Sequence, residues 1–294
     1  MDIRAILMGL AFAFMWSSAF TSARIIVEYA PPMGSLSLRF LISGLIGIGI
    51  ATLMGQSMRL TSRQWRAVII FGICQNALYL GMNFVAMQWV EASLAAIIAS
   101  TMPLIVAIAG WLVFGDRPKP LAILGLGAGI AGVFLIMGLR MTGGVDLLGI
   151  LLCLIGVISL AVATLAVRNA SSGGNLLMVV GLQMLVGAAV LAPPAFLFET
   201  WSVDWNWSLV AAFIYTTLVP GLLATFTWFV LVNRIGAVRA ATFHFLNPFF
   251  GVAVAAAILS ERLGPLDVLG VAIIAAGILA VQLSKQPAAV PAKS

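Results

Sequence analysis

The internal symmetry of this chain is most evident in residues 92–132, which read ASLAAIIASTMPLIVAIAGWLVFGDRPKPLAILGLGAGIAG. Residues 237–277 read AVRAATFHFLNPFFGVAVAAAILSERLGPLDVLGVAIIAAG, and the two stretches align without a gap after a shift of 145 residues. The least common matches pair Pro103 with Pro248, Asp116 with Glu261, Arg117 with Arg262 and Pro120 with Pro265. Alanine and glycine matches arise easily in apolar sequence, but matched prolines and charges do not. The chain therefore contains an internal repeat.

The composition places the chain in a lipid bilayer. Of its 294 residues, 63% are hydrophobic and 8% are charged, whereas soluble domains have about 25% charged residues. An ordinary soluble domain and a disordered chain are both excluded. The apolar runs are continuous rather than alternating, which favours helices over a β-barrel. At about 20 residues per membrane-spanning helix, ten spans account for most of the chain.

The ten predicted spans divide equally between the two copies of the repeat. Their expected positions are 4–27, 33–54, 65–90, 92–114, 120–138, 146–168, 175–198, 207–233, 237–259 and 265–284. Because five is odd, the second copy must cross the membrane in the opposite direction. The predicted fold class is all-α, a polytopic membrane protein with ten transmembrane helices in two inverted five-helix repeats. The repeats cover 1–140 and 141–284, and 285–294 is expected to form a disordered cytoplasmic tail.

The distribution of basic residues predicts the orientation. If the N-terminus is cytoplasmic, eleven of the fifteen Lys and Arg residues fall on the inner side. The four on the outer side are Arg24, Arg39, Arg140 and Arg262. This bias predicts a multi-pass protein of the inner (plasma) membrane with both termini in the cytoplasm.

Polar side chains inside the spans are costly in lipid and point to a functional cavity. Asn76, Tyr79 and Asn83 are spaced for one face of the third helix, and the repeat maps Asn83 onto Trp228. The ninth span places His244 on one face with Asn247. The predicted substrate-binding residues are Trp16, Ser17, Asn76, Tyr79, Asn83, Trp228, His244 and Asn247. The alternative for each is a packing or lipid-facing role, and His244 either couples transport to protons or simply donates to a neighbouring helix.

The charged residues narrow the chemistry. All nine acidic residues fall near predicted span ends, so tight recognition of a cation by a carboxylate is disfavoured and zwitterionic or neutral solutes suit the site better. Arg39 lies about two turns into the second span, where it either snorkels outward or attracts an anionic group. Asp116 and Glu261 are expected to cap the next helix and to pair with the arginine that follows each of them.

Two prolines are the candidate gating residues. Pro103 and Pro248 occupy equivalent mid-span positions, where a proline removes a backbone donor and kinks a helix. They either let the fourth and ninth spans bend as inner and outer gates or form static kinks fixed by packing.

Several motifs resemble those of the drug/metabolite transporter superfamily, in particular the ten-helix type built from two EamA-like halves. They are Trp16-Ser17-Ser18-Ala19-Phe20, Tyr79-x-x-x-Asn83-x-x-Ala86, and Ala95-Ala96 through Pro103 to Asp116 with the copy Ala240-Ala241, Pro248 and Glu261. Size and aromatic content are most similar to the YddG-type exporters of aromatic and other amino acids. The resemblance implies alternating access and a small-molecule substrate.

These observations predict a secondary transporter that exports small amphipathic solutes, most naturally amino acids. A multidrug or other metabolite exporter is the alternative within transport, and a membrane-integral enzyme is the alternative outside it. No catalytic residues are assigned. The stretch Gly127-Ala-Gly129-Ile-Ala-Gly132 matches a dinucleotide-binding pattern, but it lies inside an apolar span and indicates helix packing. No cofactor, metal site or nucleic-acid partner is expected. The chain is expected to contact the bilayer and to act as a monomer.

Overall fold

The computed structural model describes residues 3–115, 117–142, 146–166, 174–236, 240–262 and 264–284, and within these ranges it contains helices and their connections but no strand. The first repeat comprises α1 (Ile3–Tyr29), α2 (Pro32–Leu53), α3 (Ser62–Ala86), α4 (Ala92–Ser100 and Met102–Phe114) and α5 (Pro120–Thr142). The second comprises α6 (Leu147–Ala166), α7 (Leu176–Phe198), α8 (Trp207–Ile235), α9 (Thr242–Leu259) and α10 (Pro265–Ser284). The predicted tail at 285–294 lies outside the described residues.

The ten helices confirm the predicted all-α membrane fold. Over the described residues, nine helices are long and apolar enough to cross a membrane, and α5 adds a shorter apolar segment, Pro120–Ile136. Local sequence explains several boundaries. Thr61 and Gln64 form a capping box at the start of α3, and Pro32 begins α2 where its missing amide donor costs nothing.

The antiparallel pair α5 and α10 makes the inverted symmetry visible. A Cβ atom placed on Gly277 would lie 2.6 Å from the carbonyl oxygen of Gly125, and one placed on Gly270 would lie 3.3 Å from that of Gly132. The 145-residue shift relates Gly125 to Gly270 and Gly132 to Gly277, so the two contacts are equivalent. Close backbone approach through small residues is the packing that the glycine-rich motif predicted.

The second pair of equivalent helices, α2 and α7, packs in the same way. A Cβ atom on Gly44 would lie 3.0 Å from the carbonyl oxygen of Gly181, and the reverse distance is also 3.0 Å. About two helical turns from this glycine pair, Ser37 donates a hydrogen bond of 2.9 Å to the carbonyl oxygen of Ala188. The two pairs α2–α7 and α5–α10 therefore each join one repeat to the other.

Four helices depart from regular α geometry at positions that the repeat relates. The π-helical stretch Gly72–Leu80 lies inside α3, and its counterpart Thr217–Leu223 begins 145 residues later inside α8. α4 is interrupted at Thr101, and α9 opens with the 3₁₀ stretch Thr242–Leu246. The sequence predicted kinked but continuous fourth and ninth spans.

The interruptions explain how the two prolines are accommodated. Pro103 is the second residue of the second piece of α4, and Pro248 is the second residue of the α-helical part of α9. A proline in the first turn removes no intrahelical hydrogen bond. Each proline therefore marks a helix start rather than a bend within a continuous helix.

Candidate functional site

A cavity of about 490 Å³ lies between the two repeats. Among the described residues, its walls come from α1, α2, α3, α4, α6, α7, α8 and α9, while α5 and α10 contribute none. The glycine-paired helices α5 and α10 thus stand apart from the cavity. The volume falls within the range of about 300–1,000 Å³ that is typical of small-molecule sites.

The structure brings the eight predicted site residues to this one cavity. Its lining includes Trp16, Ser17, Asn76, Tyr79, Asn83, Trp228, His244 and Asn247. Of the two candidate gating residues, Pro103 also lines the cavity, whereas Pro248 is buried and is not part of the lining. The role of these residues in binding or gating remains a prediction.

The polar face of α3 lines the cavity, and glycines on neighbouring helices lie close against its asparagines. The Asn76 side chain donates to the carbonyl oxygen of Gln183 at 2.9 Å. The Asn83 side chain donates to the carbonyl oxygen of Tyr79 at 2.8 Å, which leaves its Oδ1 atom without a partner in the described structure. A Cβ atom on Gly156 would come within 2.9 Å of Asn83, so a larger residue there would displace this amide.

Aromatic rings form the opposite wall. The ring centroid of Phe12 lies 5.8 Å from that of Trp16 and 4.8 Å from that of Trp228. His244 completes the cluster at 5.4 Å from Phe12 and 5.2 Å from Trp228. The amide nitrogen of Asn247 lies 2.9 Å from Nδ1 of His244, and because an amide nitrogen only donates, Nδ1 accepts and the imidazole proton is on Nε2. This hydrogen bond lies within α9, and the two alternatives for His244 stay predictions.

Arg39 does not snorkel toward the membrane surface. Its side chain is 5% exposed, and its guanidinium lines the cavity. Nε donates to the carbonyl oxygen of Thr216 on α8 at 3.1 Å, and the guanidinium carbon lies 5.2 Å from the ring centroid of Phe40. The sequence left open whether Arg39 snorkels outward or attracts an anionic group, and the first of these alternatives is wrong.

Hydrogen bonds join the two repeats at the end of the molecule that carries Tyr29, which we call the closed end. Glu199 accepts hydrogen bonds from the backbone amides of Met33 and Gly34 at 2.7 and 2.8 Å. Glu261 accepts from those of Ala92 and Ser93 at 2.8 and 3.0 Å. Each carboxylate thus belongs to the second repeat and caps the N-terminus of a helix of the first, α2 or α4.

Glu261 caps a helix as expected, but the helix is α4 and not the next helix in the chain, so that part of the prediction is wrong. The next helix, α10, is instead capped from within by Asp267, which accepts from the Gly264 amide at 2.9 Å. The same expectation for Asp116 lies outside the described residues. Arg24 adds a further contact at the closed end by donating to the carbonyl oxygen of Met87.

The opposite end of the cavity, which we call the open end, reaches the molecular surface. Gln64 in the first turn of α3 and Leu176 at the start of α7 both line the cavity. Odd-numbered helices begin at this end, so the described chain also starts there with α1 and finishes there with α10. The cavity is therefore accessible from the face at which α1 begins and α10 ends.

Sequence reasoning missed several polar lining residues. Gln64, Gln75 and Gln183 line the cavity, as does Thr216, whose hydroxyl bonds Ser22 at 2.6 Å. Gln183 is a single polar residue in an apolar run and Gln75 precedes Asn76 in the third span, which are signals that the sequence offered, whereas Gln64 lies among charged residues at the start of α3. Thr216 was harder to find, because its orientation depends on how α8 packs against α1.

Together, the inverted membrane repeats and the cavity between them, open at one end and closed at the other, define the class of membrane transport proteins. The model of the EamA-like transporter family matches residues 3–138 and 147–283. The chain belongs to the EamA-like transporter family.

Similar proteins carry transporter names. The uncharacterized transporter YvbV of Bacillus subtilis is 25% identical, over 86% of this chain and 84% of its own length. The uncharacterized transporter sll0355 of Synechocystis sp. is also 25% identical, over 97% of this chain and 92% of its own. A solved crystal structure superimposes with a TM-score of 0.69 at 22% identity, over 96% of this chain and 98% of that one, and supports the fold.

Proposed function

We propose that this chain is a secondary transporter that exports small amphipathic solutes, most naturally amino acids, by alternating access across the inner (plasma) membrane. The observation that carries the proposal is the cavity between inverted repeats, which is open at one end, while at the other end Glu199 and Glu261 join the two repeats by hydrogen bonds. Inverted repeats that rock around a midplane site are the general design of such transporters. The termini are proposed to be cytoplasmic, which makes this the inward-open state.

The lining supports an amphipathic solute. Aromatic rings such as Trp16 and Trp228 offer apolar surface, while Asn83 Oδ1, Ser17 Oγ and Asn247 Oδ1 are buried and have no partner in the described structure. Unpaired buried acceptors are costly unless a ligand or water satisfies them. A solute with one apolar part and one polar part matches this division.

The lining also argues against cationic drugs. Among the described lining residues there is no Asp or Glu, so a cation would meet Arg39 without a compensating carboxylate. The proposed role of the chain is transport rather than catalysis, and the lining residues are proposed as ligands of the solute.

Counterflow in proteoliposomes tests the proposal. The purified protein is reconstituted with a high internal concentration of unlabelled solute, and accumulation of trace labelled solute is measured for amino acids and for cationic drugs. Accumulation of an amino acid above that in protein-free liposomes is the expected result. Accumulation of drugs alone would favour the multidrug alternative, and accumulation of none of the solutes would overturn the proposal.

A further inference from the structure

Among the described residues that line the cavity, Arg39 is the one that carries a positive charge. Arg39 is 5% exposed, lies on α2 in the cavity wall and uses only Nε in a hydrogen bond, to Thr216. A guanidinium has five N–H donors. In the described part of the structure, no protein acceptor bonds the other four, so they are left for whatever occupies the cavity.

The charge has no counter-ion in the described cavity lining. The carboxylates of Glu199 and Glu261 are used to cap helix starts at the closed end. No described lining residue is acidic. An unpaired charge buried within a membrane protein is costly and is usually paired with another charge or a ligand. The electrostatics of this cavity therefore favour an anion.

The backbone leaves space beside the guanidinium. A Cβ atom on Gly221 would lie 3.3 Å from Nη2 of Arg39 and 3.5 Å from Oγ of Ser43. Gly221 itself lines the cavity, inside the π-helical stretch of α8. A side chain at this position would crowd the guanidinium, and glycine instead leaves its Nη2 side open.

The aromatic cluster lies at a different level of the same helix. Trp228 follows Gly221 by seven residues, which is about 10 Å along a helix axis. Phe12 packs against both Trp228 and Trp16, with ring centroids 4.8 and 5.8 Å from its own. Apart from Arg39, the described lining residues of the cavity are apolar or neutral polar side chains such as Gln183, so an ammonium group would find no charged partner of opposite sign there.

We propose that Arg39 is the specificity-determining residue of the cavity and binds the carboxylate of an amphipathic organic anion whose apolar part lies against Phe12, Trp16 and Trp228. This inference rests on the proposed function and narrows it, because it ranks net anions above zwitterionic amino acids and excludes amines. Arginine pairs with carboxylates through parallel hydrogen bonds, which supply both strength and orientation.

A matched set of four ligands tests the proposal by calorimetry on the full-length protein in detergent. They are 3-phenylpropionate, phenylalanine, 3-phenylpropionamide and 3-phenylpropylamine, which share one apolar body and differ in charge. We expect the carboxylate to bind on the order of tenfold to a hundredfold more tightly than its amide, since a hydrogen bond to a charged group is the difference between them. Phenylalanine should fall between the two, and the amine should bind least.

Variants then assign the preference to Arg39. Arg39→Gln should abolish the difference between carboxylate and amide while leaving amide binding unchanged, and Arg39→Lys should retain part of it. Arg66→Gln, an exposed arginine on α3, is the control for a general change in charge and should keep the full preference. If Arg39→Gln does not fold, the wild-type comparison and Arg39→Lys still decide the question.

Equal affinity of the wild type for carboxylate and amide would overturn the inference, as would an Arg39→Gln variant that keeps the preference or an Arg66→Gln variant that loses it. Counterflow separates this failure from that of the proposed function. Transport of phenylalanine without any preference for carboxylates would overturn the role of Arg39 and leave transport intact. Carboxylate-selective binding without flux of any solute would support the role of Arg39 and overturn the transporter.

Discussion

Replacing Glu261 by Gln is expected to shift the transporter toward the opposite state, in which the repeats separate at what we call the closed end. Both carboxylate oxygens of Glu261 accept backbone amides at the start of α4, at 2.8 and 3.0 Å. The contact joins the second repeat to the first, so it must break if the repeats separate at this end. Glutamine has one acceptor oxygen and no charge, and it can satisfy only one of the two amides.

The size of the shift follows from the hydrogen bonds that are lost. A helix N-cap contributes about 1–2 kcal/mol, and hydrogen bonds to charged groups contribute more. Glu261 is partly exposed, which weakens the charge contribution, so we expect Glu261→Gln to lose about 1–2 kcal/mol. That corresponds to a population change of about five- to thirtyfold.

Thiol labelling of a single engineered cysteine measures the shift. The half-buried cavity residue Ala19 is replaced by Cys in a chain in which Cys74 and Cys153 are changed to Ala. In Glu261→Gln, an impermeant reagent applied from the closed end should label this cysteine about five- to thirtyfold faster. Glu28→Gln, which changes an exposed acid at the same end, should label like the parent. Unchanged labelling in Glu261→Gln from both sides would refute the view that this carboxylate holds the end shut.

Three further predictions concern packing, topology and gating. Gly277→Val should lower stability by about 1–3 kcal/mol through overpacking and lower the melting temperature, since a Cβ atom there lies 2.6 Å from a carbonyl oxygen of α5. The control Gly127→Val should melt like the parent, because no atom lies within 4 Å of a Cβ atom at that position. In intact cells, a cysteine at Ser202 should react with an impermeant reagent and one at Ser62 should not; the reverse pattern would invert the proposed orientation. Pro103→Ala and the equivalent change in α9 should shift cavity labelling in opposite directions, and equal labelling and transport in all three proteins would leave both prolines as fixed helix starts.

Much of the fold could be predicted from sequence because a bilayer imposes a simple requirement on it. Apolar runs of about 20 residues must be helices, and a duplication with an odd number of spans must be inverted. The face of α3 that carries Asn76, Tyr79 and Asn83 followed from helical spacing alone. The structure places that face on the same cavity as His244, which comes from the other repeat.

The features that sequence reasoning missed depend on how the two repeats pack. Glu261 was expected to cap its own following helix, and nothing in its neighbours indicates that α4 begins beside it. Arg39 could equally have faced lipid headgroups, because its direction is set by the contact of α2 with Thr216. The π-helical stretches have no sequence pattern of their own, although both repeats contain one at equivalent positions.

The most direct test of the central claim compares two residues with a buried polar atom, only one of which lines the cavity. Asn83 Oδ1 and Ser93 Oγ are both buried without a partner in the described structure, but only Asn83 lines the cavity. Counterflow of labelled amino acid is measured for Asn83→Ala and Ser93→Ala, reconstituted at equal protein density. If the cavity between the repeats is the transport site, Asn83→Ala should reduce the rate by about tenfold, which corresponds to one lost hydrogen bond, and Ser93→Ala should transport like the parent. Equal rates in Asn83→Ala and the parent, or a similar loss in both variants, would contradict the claim.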